Sequence, residues 1–422
     1  MTRAQSEQSK WQTLRRGTRI IYLHQYFTTP EMNGGVRSFE FARRLASAGY
    51  DVQVITSDRA QDAARGWRVQ ELAGFTIHWV GVPYSNSMNF LSRVAAFIHF
   101  VVRASAHVIG MHADVVFATS TPLTIALPAI VAKVMNRAHL IFEVRDLWPE
   151  VPIAMGVLRN PFLVFAANLL ERLAYYASDH IIALSPGMKN GVVGKGYSAD
   201  LVTVIPNSAD VDLLFTSTDE LMQWKDEFPS FSSRKFVLYC GTLGAVNGVG
   251  YLADIAAEAR KFDPDLAFVV VGDGRERLLI ERLARDLEVL DVNFFMVGNV
   301  AKSDVRLFFA GAAMTISLCV PIRELENNSA NKFFDSLAAG KPIVINYGGW
   351  QKEIIEQNSI GIVIPSDSPQ EAARQLVSLA GLQSALTEMS ARAALLGKTV
   401  YSRDSCFKAF REVIESVVDK RL

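Results

Sequence analysis

Short apolar runs alternate with amphipathic stretches along nearly the whole chain. In the first half we predict strands at residues 19–27, 50–57, 75–82, 114–120, 139–144, 179–185 and 201–207. The stretches between them repeat apolar residues at helical spacing, and one of them opens with a cap residue, Asn160, followed by Pro161. Strands that alternate with helices predict an α/β fold in which helices cover both faces of a parallel sheet.

The same alternation starts again at Lys235, after an irregular segment rich in Asp, Ser and Thr. We therefore predict two doubly wound, Rossmann-like domains that face each other across a cleft. The predicted parts are a polar tail at 1–17, a first domain at 18–207, a second domain at 208–400 and a C-terminal helix at 401–422. Ligands of such sheets bind at the carboxyl ends of the strands, so functional residues should follow the strands directly.

The charges of the chain are balanced, with 43 Lys and Arg residues against 43 Asp and Glu residues. This balance argues against a nucleic acid as the main partner, because binding to its phosphates requires a basic excess or a basic patch. Cys240, Cys319 and Cys406 lie far apart and predict neither a disulfide framework nor a zinc site. Such sparse cysteines fit the reducing cytoplasm.

The chain is rather apolar, with 50% hydrophobic residues and a mean hydropathy of +0.17. The tail at 1–17 nevertheless lacks the apolar run of a secretory signal. The longest uncharged stretch, 115–132, is interrupted by prolines and hydroxyl residues, whereas a membrane span needs about 20 predominantly apolar residues. We therefore expect a protein that is soluble or attached to a membrane surface.

Three turns between a predicted strand and the next helix contain glycine, at Gly34-Gly35, at Gly241 to Gly244 and at Gly272 to Gly274. At such turns backbone N–H groups and the helix N-terminus face an anion, which predicts a bound diphosphate. Each glycine could equally serve the geometry of the turn alone. None of the turns fits G-x-G-x-x-G with an acidic residue about 20 positions later, which disfavours a nicotinamide or flavin cofactor.

The segment at 327–344 carries the most specific pattern. A helix that opens at Ser329 places Lys332 in its first turn, and Asp335 follows three residues later on the same side. Lys332 is thereby suited to a phosphate and Asp335 to sugar hydroxyls. The alternative is an ordinary helix with an exposed Lys and Asp.

These segments together resemble the family 4 glycosyltransferases, which have the GT-B fold and retain the anomeric configuration. The resemblance is carried, in order, by the Gly34-Gly35 loop, FEVRDLWPE (142–150), VIPNSADVDLL (204–214), YCGTLGAVNG (239–248), VVVGDGRER (269–277) and NSANKFFDSLAAGKP (328–342). It is strongest to the bacterial subgroup that builds O-antigen and capsule, including L-fucosamine transferases. It implies a nucleotide-sugar donor, a lipid-linked or saccharide acceptor, and a last helix that packs back on the first domain.

The chain departs from the family in its charges. The family usually places Arg and Lys in the loop after the first strand of the second domain, where Thr242 and Asn247 stand here. A diphosphate without cations is costly to desolvate, so we expect the charge to be supplied from elsewhere. The candidates are Lys332 and Arg275, followed by Arg323 and Arg37.

The resemblance implies further donor-binding positions. The family motif has a Glu, seven residues and a second Glu, and these positions are held here by Asn327 and Asp335. The remaining positions expected at the donor are Gly298, Asn299 and Val300 near the base, and Ser329 and Asn331 at the start of the helix.

In the first domain, Arg145, Asp146 and Glu150 follow a predicted strand and are expected at the carboxyl edge of the sheet. Together with Lys332 they are the candidate catalytic residues. The alternative is that Asp146 caps a short helix and Trp148 packs beneath it.

The stretch at 89–109 is predicted to be an amphipathic helix. Its basic stripe contains Arg93, His99, Arg103 and His107, and its wide apolar arc contains Phe90, Val94, Phe97, Ile98, Val101 and Ile109. Such a helix suits peripheral contact with an anionic membrane, as would serve a lipid-linked acceptor. It could equally be a helix half-buried against the first sheet.

We therefore expect a retaining glycosyltransferase with a UDP-linked, N-acetylated donor, working in the cytoplasm or on the inner face of its membrane. In the front-face route usual for the family the leaving diphosphate accepts the proton, so neither a strong protein base nor a metal ion is needed. Two alternatives remain. A UDP-hexosamine 2-epimerase shares this fold but needs paired acid–base groups, and a non-catalytic nucleotide-sugar-binding protein would explain the missing Arg and Lys.

Overall fold

The computed structural model describes residues 17–32, 34–60, 66–85, 88–214 and 216–419. The chain divides into two compact units, one formed by Met1–Pro206 with Phe407–Leu422 and the other by Asn207–Cys406. The first boundary thus lies one residue before the predicted one. The second falls inside the C-terminal helix rather than at its start.

The N-terminal unit contains an eight-stranded sheet with the order β3-β4-β2-β1-β5-β6-β7-β8 among its described residues. The strands are β1 (Arg19–Leu23), β2 (Asp51–Asp58), β3 (Trp67–Leu72), β4 (Phe75–Gly81), β5 (Val115–Thr119), β6 (His139–Val144), β7 (His180–Ala183) and β8 (Val202–Val204). All neighbours are parallel except β3, which is antiparallel to β4. The order reverses between β1 and β5, which is a topological switch point.

Strand β3 was not predicted from the sequence. It is an edge strand whose side chains are all exposed or half-buried, so it lacks the apolar run that marks the buried strands. Ala73 and Gly74, with φ of 51° and 86°, connect it to β4 in a tight hairpin.

Helices cover both faces of this sheet. They are α1 (Arg37–Ser47), α2 (Phe90–Ile109), α3 (Ala126–Asn136), α4 (Glu150–Ala154), α5 (Pro161–Ala177) and α6 (Pro186–Gly194). Buried residues of α2, α3 and α5 share one core with the sheet, among them Phe100, Ala129 and Tyr175. The Asn160 cap of α5 is confirmed, because its Oδ1 accepts a hydrogen bond of 2.9 Å from the Phe162 N–H.

The C-terminal unit contains a six-stranded parallel sheet with the order β11-β10-β9-β12-β13-β14. Its strands are β9 (Phe236–Cys240), β10 (Ala267–Val271), β11 (Phe294–Gly298), β12 (Met314–Ser317), β13 (Ile343–Ile345) and β14 (Gly361–Val363). The switch point of this sheet lies between β9 and β12. Central strands such as β10 are buried on both faces and therefore read as continuous apolar runs.

The helices after the first unit are α7 (Thr218–Glu227), α8 (Pro229–Ser232), α9 (Gly250–Ala259), α10 (Arg277–Asp286), α11 (Val305–Gly311), α12 (Asn331–Ala338), α13 (Trp350–Asn358), α14 (Pro369–Gly381), α15 (Gln383–Lys398) and α16 (Arg403–Asp419). The C-terminal part of α16 belongs to the N-terminal unit. There the Phe410 ring lies 4.6 Å from the Phe41 ring of α1 and 4.9 Å from the Phe117 ring of β5. This contact closes the second face of the first sheet.

The basic stripe predicted on helix 89–109 is not the outer face of α2. Ala96, Phe100, Ala104 and Val108 lie in the core, and the His107 ring stacks on Trp67 with 3.8 Å between ring centroids. Arg93 and Arg103 are half-buried, and the Phe90 side chain lies outside the described residues. The face of α2 that points to solvent is instead apolar and contains Leu91, Ile98, Val102 and Ile109, with the exposed His99 beside Ile98.

By length and composition alone, the segment Leu91–Ile109 could cross a membrane. In the structure 22% of this segment is buried, and its core residues pack with the first sheet.

Candidate functional site

The candidate donor site lies at the switch point of the C-terminal sheet, where the loops after β9 and β12 meet the N-terminus of α12. Lys332, in the first turn of α12, donates a hydrogen bond from Nζ to Oδ1 of Asn247 at 3.1 Å. Its ammonium also lies 5.1 Å from the centre of the Tyr239 ring, a favourable cation–π distance. The helix begins at Asn331 rather than Ser329, but Lys332 keeps its predicted place in the first turn.

Glycine allows these loops to approach one another closely. A Cβ on Gly241, which has φ of 149°, would lie 2.7 Å from Cε of Lys332. A Cβ on Gly272, which has φ of 135°, would lie 2.0 Å from the Gly241 carbonyl oxygen. Two hydrogen bonds connect the two loops, one from the Gly241 N–H to the Val271 carbonyl and one from the Leu243 N–H to the Asp273 carbonyl, each 2.9 Å long. The glycines therefore serve packing between loops and also clear the space that the Lys332 side chain fills.

Burial dominates the electrostatics of this site. It lowers the pKa of Lys332, against the opposing effect of Asp335. It raises the pKa of Asp335 to about 6, against the opposing charges of Lys332 and Arg403. A cation and a carboxylate that are both poorly hydrated form a strongly polar site, which is typical of ligand-binding centres.

The other predicted donor residues are distributed around this point. Thr242 is exposed, and its carbonyl accepts hydrogen bonds from the Tyr239 hydroxyl at 2.8 Å and from the Asn247 amide at 3.0 Å. Arg275 and Arg323 are exposed on the neighbouring loops after β10 and β12. Asn331 is exposed at the start of α12, and Asn327 ends the short 3-10 turn before it.

Ser329 has a structural role that its sequence position did not indicate. Its Oγ accepts a hydrogen bond from the Asn207 N–H at 3.2 Å, and its carbonyl accepts one from the Asn207 amide at 2.7 Å. Ser329 is only 6% exposed. It therefore fixes the loop before α12 to the first residue of this unit.

Gly298 ends β11 at the same edge of the sheet, and Asn299 and Val300 follow it. Gly298 has φ of 85°, and its carbonyl accepts a hydrogen bond from the Gly272 N–H at 2.8 Å. A Cβ on Gly298 would lie 2.7 Å from Nη1 of Arg277, so the Arg277 guanidinium lies directly over this turn. Asn299 is exposed and Val300 half-buried.

Arg37, which was predicted to bind the donor diphosphate, has all of its hydrogen-bond partners inside the N-terminal unit. Arg37 is 5% exposed, and its Nε and Nη2 donate to Oε1 of Glu143 at 3.0 and 2.9 Å. The remaining hydrogen bonds of its guanidinium go to the carbonyls of Ile205 and Pro206. Because these partners lie inside the N-terminal unit, Arg37 is part of the framework of that unit.

The Gly34-Gly35 turn also belongs to the N-terminal unit. Gly34 has φ of 135°, and Oγ1 of Thr28 donates a hydrogen bond to the Gly35 carbonyl at 2.8 Å. The turn leads into α1.

A second candidate site lies at the switch point of the N-terminal sheet, at the ends of β1, β5 and β6. Oγ1 of Thr121 donates to Oδ2 of Asp146 at 3.2 Å, and the Arg145 N–H donates to Oγ of Ser120 at 2.9 Å. Burial raises the pKa of Asp146, against the opposing charge of Arg145. Thr121 has φ of 109°, which a β-branched residue rarely adopts, so strain is stored beside these two candidate residues.

Glu150 does not join this group, contrary to the prediction. Its carboxylate lies 3.1 Å from Nζ of Lys195, which also lies 3.2 Å from the carboxylate of the buried Glu171. Glu150 thus takes part in a separate ion cluster that ties α4 to α5.

Two charged or polar residues of these sites were missed by the sequence analysis. His24 follows β1, is 4% exposed, and has a pKa held well below its usual range by burial and then by the charge of Arg145. Its Nδ1 and both polar side-chain atoms of the neighbouring Gln25 have no hydrogen-bond partner among the described residues. Lys302, which follows β11, acts on Asp335 and lowers its pKa. His24 follows β1 directly and Lys302 lies in the loop after β11, and a position after a strand is the signal that could have identified them.

Among the described residues, no group of three or more His, Cys, Asp and Glu side chains is arranged to hold a metal ion.

Comparisons with known proteins agree with this architecture. Residues 34–208 match the glycosyl transferase 4-like domain, and residues 234–381 match the model of glycosyl transferases group 1. The colanic acid biosynthesis glycosyl transferase WcaI of Escherichia coli K12 is 22% identical over 293 residues, which is 65% of this chain and 70% of that protein. Alpha-D-kanosaminyltransferase of Streptomyces kanamyceticus is 28% identical over 172 residues, which is 40% of this chain and 42% of that protein.

Among solved structures, HepE of Anabaena in complex with UDP and glucose superposes with a TM-score of 0.69. Its sequence is 16% identical, and the match covers 94% of this chain and all of that one. Both sheets therefore have the arrangement of the GT-B fold.

Proposed function

Because the chain is a glycosyltransferase of the GT-B fold, with a glycosyl transferase 4-like domain and a group 1 domain, we propose that it transfers a sugar from a UDP-linked donor during synthesis of a bacterial surface polysaccharide. The donor sugar is N-acetylated, as in the L-fucosamine transferases whose motifs the chain resembles, and the acceptor is lipid-linked or a saccharide. The colanic acid relative supports the pathway class, and UDP in the HepE structure supports the nucleotide.

The observation that carries this proposal is the contact between Lys332 and Asn247. Asn247 stands where the family usually has a diphosphate-binding lysine, and the Lys332 ammonium lies 3.1 Å from its side chain. The positive charge is thus present at the loop after β9, although it comes from α12. This supports relocation of the charge rather than loss of the donor site. Arg275, on the adjacent loop, is the second cation available to the diphosphate.

The chemistry needs few groups from the protein. In the proposed front-face transfer the bond between the anomeric carbon and the β-phosphate oxygen breaks, and the acceptor oxygen bonds to the same face of that carbon. The acceptor proton passes to the departing phosphate oxygen. Lys332 stabilises the charge that develops on the diphosphate, while Asp335 accepts hydrogen bonds from ribose hydroxyls. We propose that no divalent metal is required.

The carboxyl edge of the N-terminal sheet is proposed to bind the acceptor. Arg145 and Asp146 offer it a cation and a carboxyl group, and His24 is a third polar group beside them. An epimerase would instead need two acid–base groups acting on one carbon. The separation of Glu150 into the Lys195 cluster disfavours that alternative.

Binding of an intact UDP-sugar should weaken about tenfold between pH 7 and pH 5, because Asp335 has a pKa of about 6 and only its carboxylate accepts hydrogen bonds from both ribose hydroxyls. Calorimetric titration at each pH measures this, and the sugar diester avoids the titration of a terminal phosphate in this range. The Asp335→Asn variant should bind more weakly at pH 7 and show a flat profile. A wild-type profile without the acidic decline would contradict the role of Asp335.

The first test of the function is thermal stability with UDP, GDP, ADP and dTDP, each with and without EDTA. A ligand at 100 times its Kd stabilises the folded state by about 2.7 kcal/mol, which raises the unfolding temperature by several degrees. We expect a UDP-selective rise that EDTA leaves unchanged. No rise with any nucleotide would favour a non-catalytic protein, and a rise that EDTA removes would contradict metal independence.

We propose that the protein works in the cytoplasm, at the inner face of the membrane, where a lipid-linked acceptor would be found. Cell fractionation tests this, with the protein expected in the membrane pellet and released by high salt or alkaline wash.

A further inference from the structure

Helix α5 exposes a continuous row of large apolar side chains. Phe162 is 82% exposed, Phe165 70% and Leu169 58%, and the row continues through Leu173 to Tyr176. These positions recur every three or four residues, so they lie on one face of the helix. The opposite face, with Ala174 and Tyr175, is buried against the sheet.

The same layer of the N-terminal unit extends this apolar surface. Helix α3 packs between α2 and α5, and its alanines 126, 129 and 132 lie in the core. Its outer residues Leu127 and Val134 are exposed, as are Ile98 and Val102 of α2. We call the exposed apolar faces of α2, α3 and α5 the three-helix face. A contiguous apolar face of this kind marks a binding surface rather than a normal solvent-exposed layer.

The charges on these helices have one sign. They contain four Lys and Arg residues, Arg93, Arg103, Lys133 and Arg172, and a single acidic residue, Glu171. Glu171 is buried at 1% exposure and lies 3.2 Å from Nζ of Lys195, and Lys133 is bonded to Asp179 at 2.8 Å. Arg172 is exposed, and Arg93 and Arg103 are half-buried, so these three helices carry more cations than anions although the whole chain has equal numbers of both.

We propose that the three-helix face lies on an anionic lipid bilayer, with Phe162 and Phe165 inserted among the acyl chains and the exposed Arg172 at the phosphate level. The lipid surface is the membrane partner that the proposed function requires. Only the biological purpose of this contact rests on the proposed function. An apolar helix face bordered by cations is the arrangement that binds membrane interfaces. In a symmetric dimer built on this face, by contrast, the Arg172 side chains of the two copies would lie at one interface and repel.

The direct test is flotation of the full-length protein with phosphatidylcholine vesicles that contain 0 or 30 mol% phosphatidylglycerol, without donor or acceptor. We expect binding to the anionic vesicles, at least tenfold weaker binding to the neutral ones, and partial release in 0.5 M NaCl because salt screens exposed charges. The Phe162→Asp/Phe165→Asp double variant should need at least tenfold more lipid for half-maximal binding.

The matched controls are Met222→Asp and Leu395→Asp, which place the same charge at apolar positions of the C-terminal unit that are 61% and 62% exposed. Both should bind vesicles like the wild type. Equal loss in the controls, equal binding to both vesicle types, or no vesicle binding would each overturn the proposal. So would a concentration-dependent dimer that the double variant abolishes, since the face would then hold a second copy.

Transfer assays separate this proposal from the proposed function. The double variant should keep wild-type kcat/KM with a water-soluble acceptor analogue and lose at least tenfold with the same head group on a long-chain lipid in vesicles. Vesicle binding by a protein that consumes no UDP-sugar would overturn the function and leave the face intact. Sugar transfer by the wild type without vesicle binding would overturn the role of the three-helix face and leave the proposed function intact.

Discussion

Replacing Lys332 with methionine should lower kcat for sugar transfer about 100-fold or more and should weaken binding of the donor. Loss of one group that stabilises developing charge at a dehydrated site commonly costs a factor of this size. Methionine keeps the apolar stem that packs over Gly241, so only the ammonium is removed. The fold should be preserved, because burial already disfavours the charged form of Lys332 and lowers its pKa. Initial rates with saturating donor and a thermal unfolding curve measure the two effects.

The same variant should change the behaviour of Asp335. Lys332 is the largest opposing influence on the raised pKa of Asp335, so its removal should move the acidic decline in donor binding to higher pH. Lys352→Met is the matched control, because the Lys352 side chain of α13 is 45% exposed and forms only a loose 3.8 Å pair with Glu356. It should leave both the rate and the pH profile unchanged.

A rescue experiment tests the relocation of charge directly. The family carries a lysine at the position of Asn247, and we infer that the Lys332 ammonium replaces it. The Asn247→Lys/Lys332→Met double variant should therefore transfer sugar at least tenfold faster than Lys332→Met alone. Turnover near the wild-type level in Lys332→Met alone would contradict the assignment. A folded double variant that stays inactive would show that α12 supplies more than a charge.

The sequence predicted the α/β units and the strand-following positions well because these depend on local patterns. The run at 294–298, for example, is buried or half-buried throughout and ends at Gly298, where the chain must turn. The order of the strands depends on contacts between distant segments, which periodicity does not report. The meeting of Asn247 with Lys332, 85 residues later, therefore appears only in the structure.

The same limit explains the failures. A cation after a glycine-containing turn can bind a ligand or form an ion pair within the protein. Which of these roles it has depends on the residue that lies beside it in the fold. For Arg37 the partner is Glu143, 106 positions away on a buried strand. Glu150 was assigned to the site because it follows β6, but its carboxylate pairs with Lys195, from another segment, which also pairs with Glu171. Local sequence could not distinguish these outcomes.

Removing the charge of Glu143 should destabilise the N-terminal unit by about 3 kcal/mol, which lowers its unfolding temperature by about 10 °C. Glu143 is fully buried and accepts two hydrogen bonds from Arg37 and one of 2.7 Å from the Thr119 hydroxyl. In Glu143→Gln the Arg37 cation stays buried without a counter-ion, which costs more than the pair itself contributes. Calorimetry measures the effect, and Arg285→Ala, in a surface pair with Glu281 at 2.8 Å, should change stability by no more than about 0.5 kcal/mol.

The Arg37→Met/Glu143→Leu double variant separates a structural role of Arg37 from a role in donor binding. It removes both charges, so it should recover much of the stability that Glu143→Gln loses, because a buried ion pair can be replaced by apolar side chains of similar volume. Measured well below its unfolding temperature, it should bind UDP with the wild-type Kd, since every partner of the Arg37 guanidinium lies within the N-terminal unit. A stable double variant that no longer binds UDP would show that Arg37 contributes to donor binding. In that case Arg37 would join Lys332 and Arg275 as a replacement for the missing cations of the loop after β9.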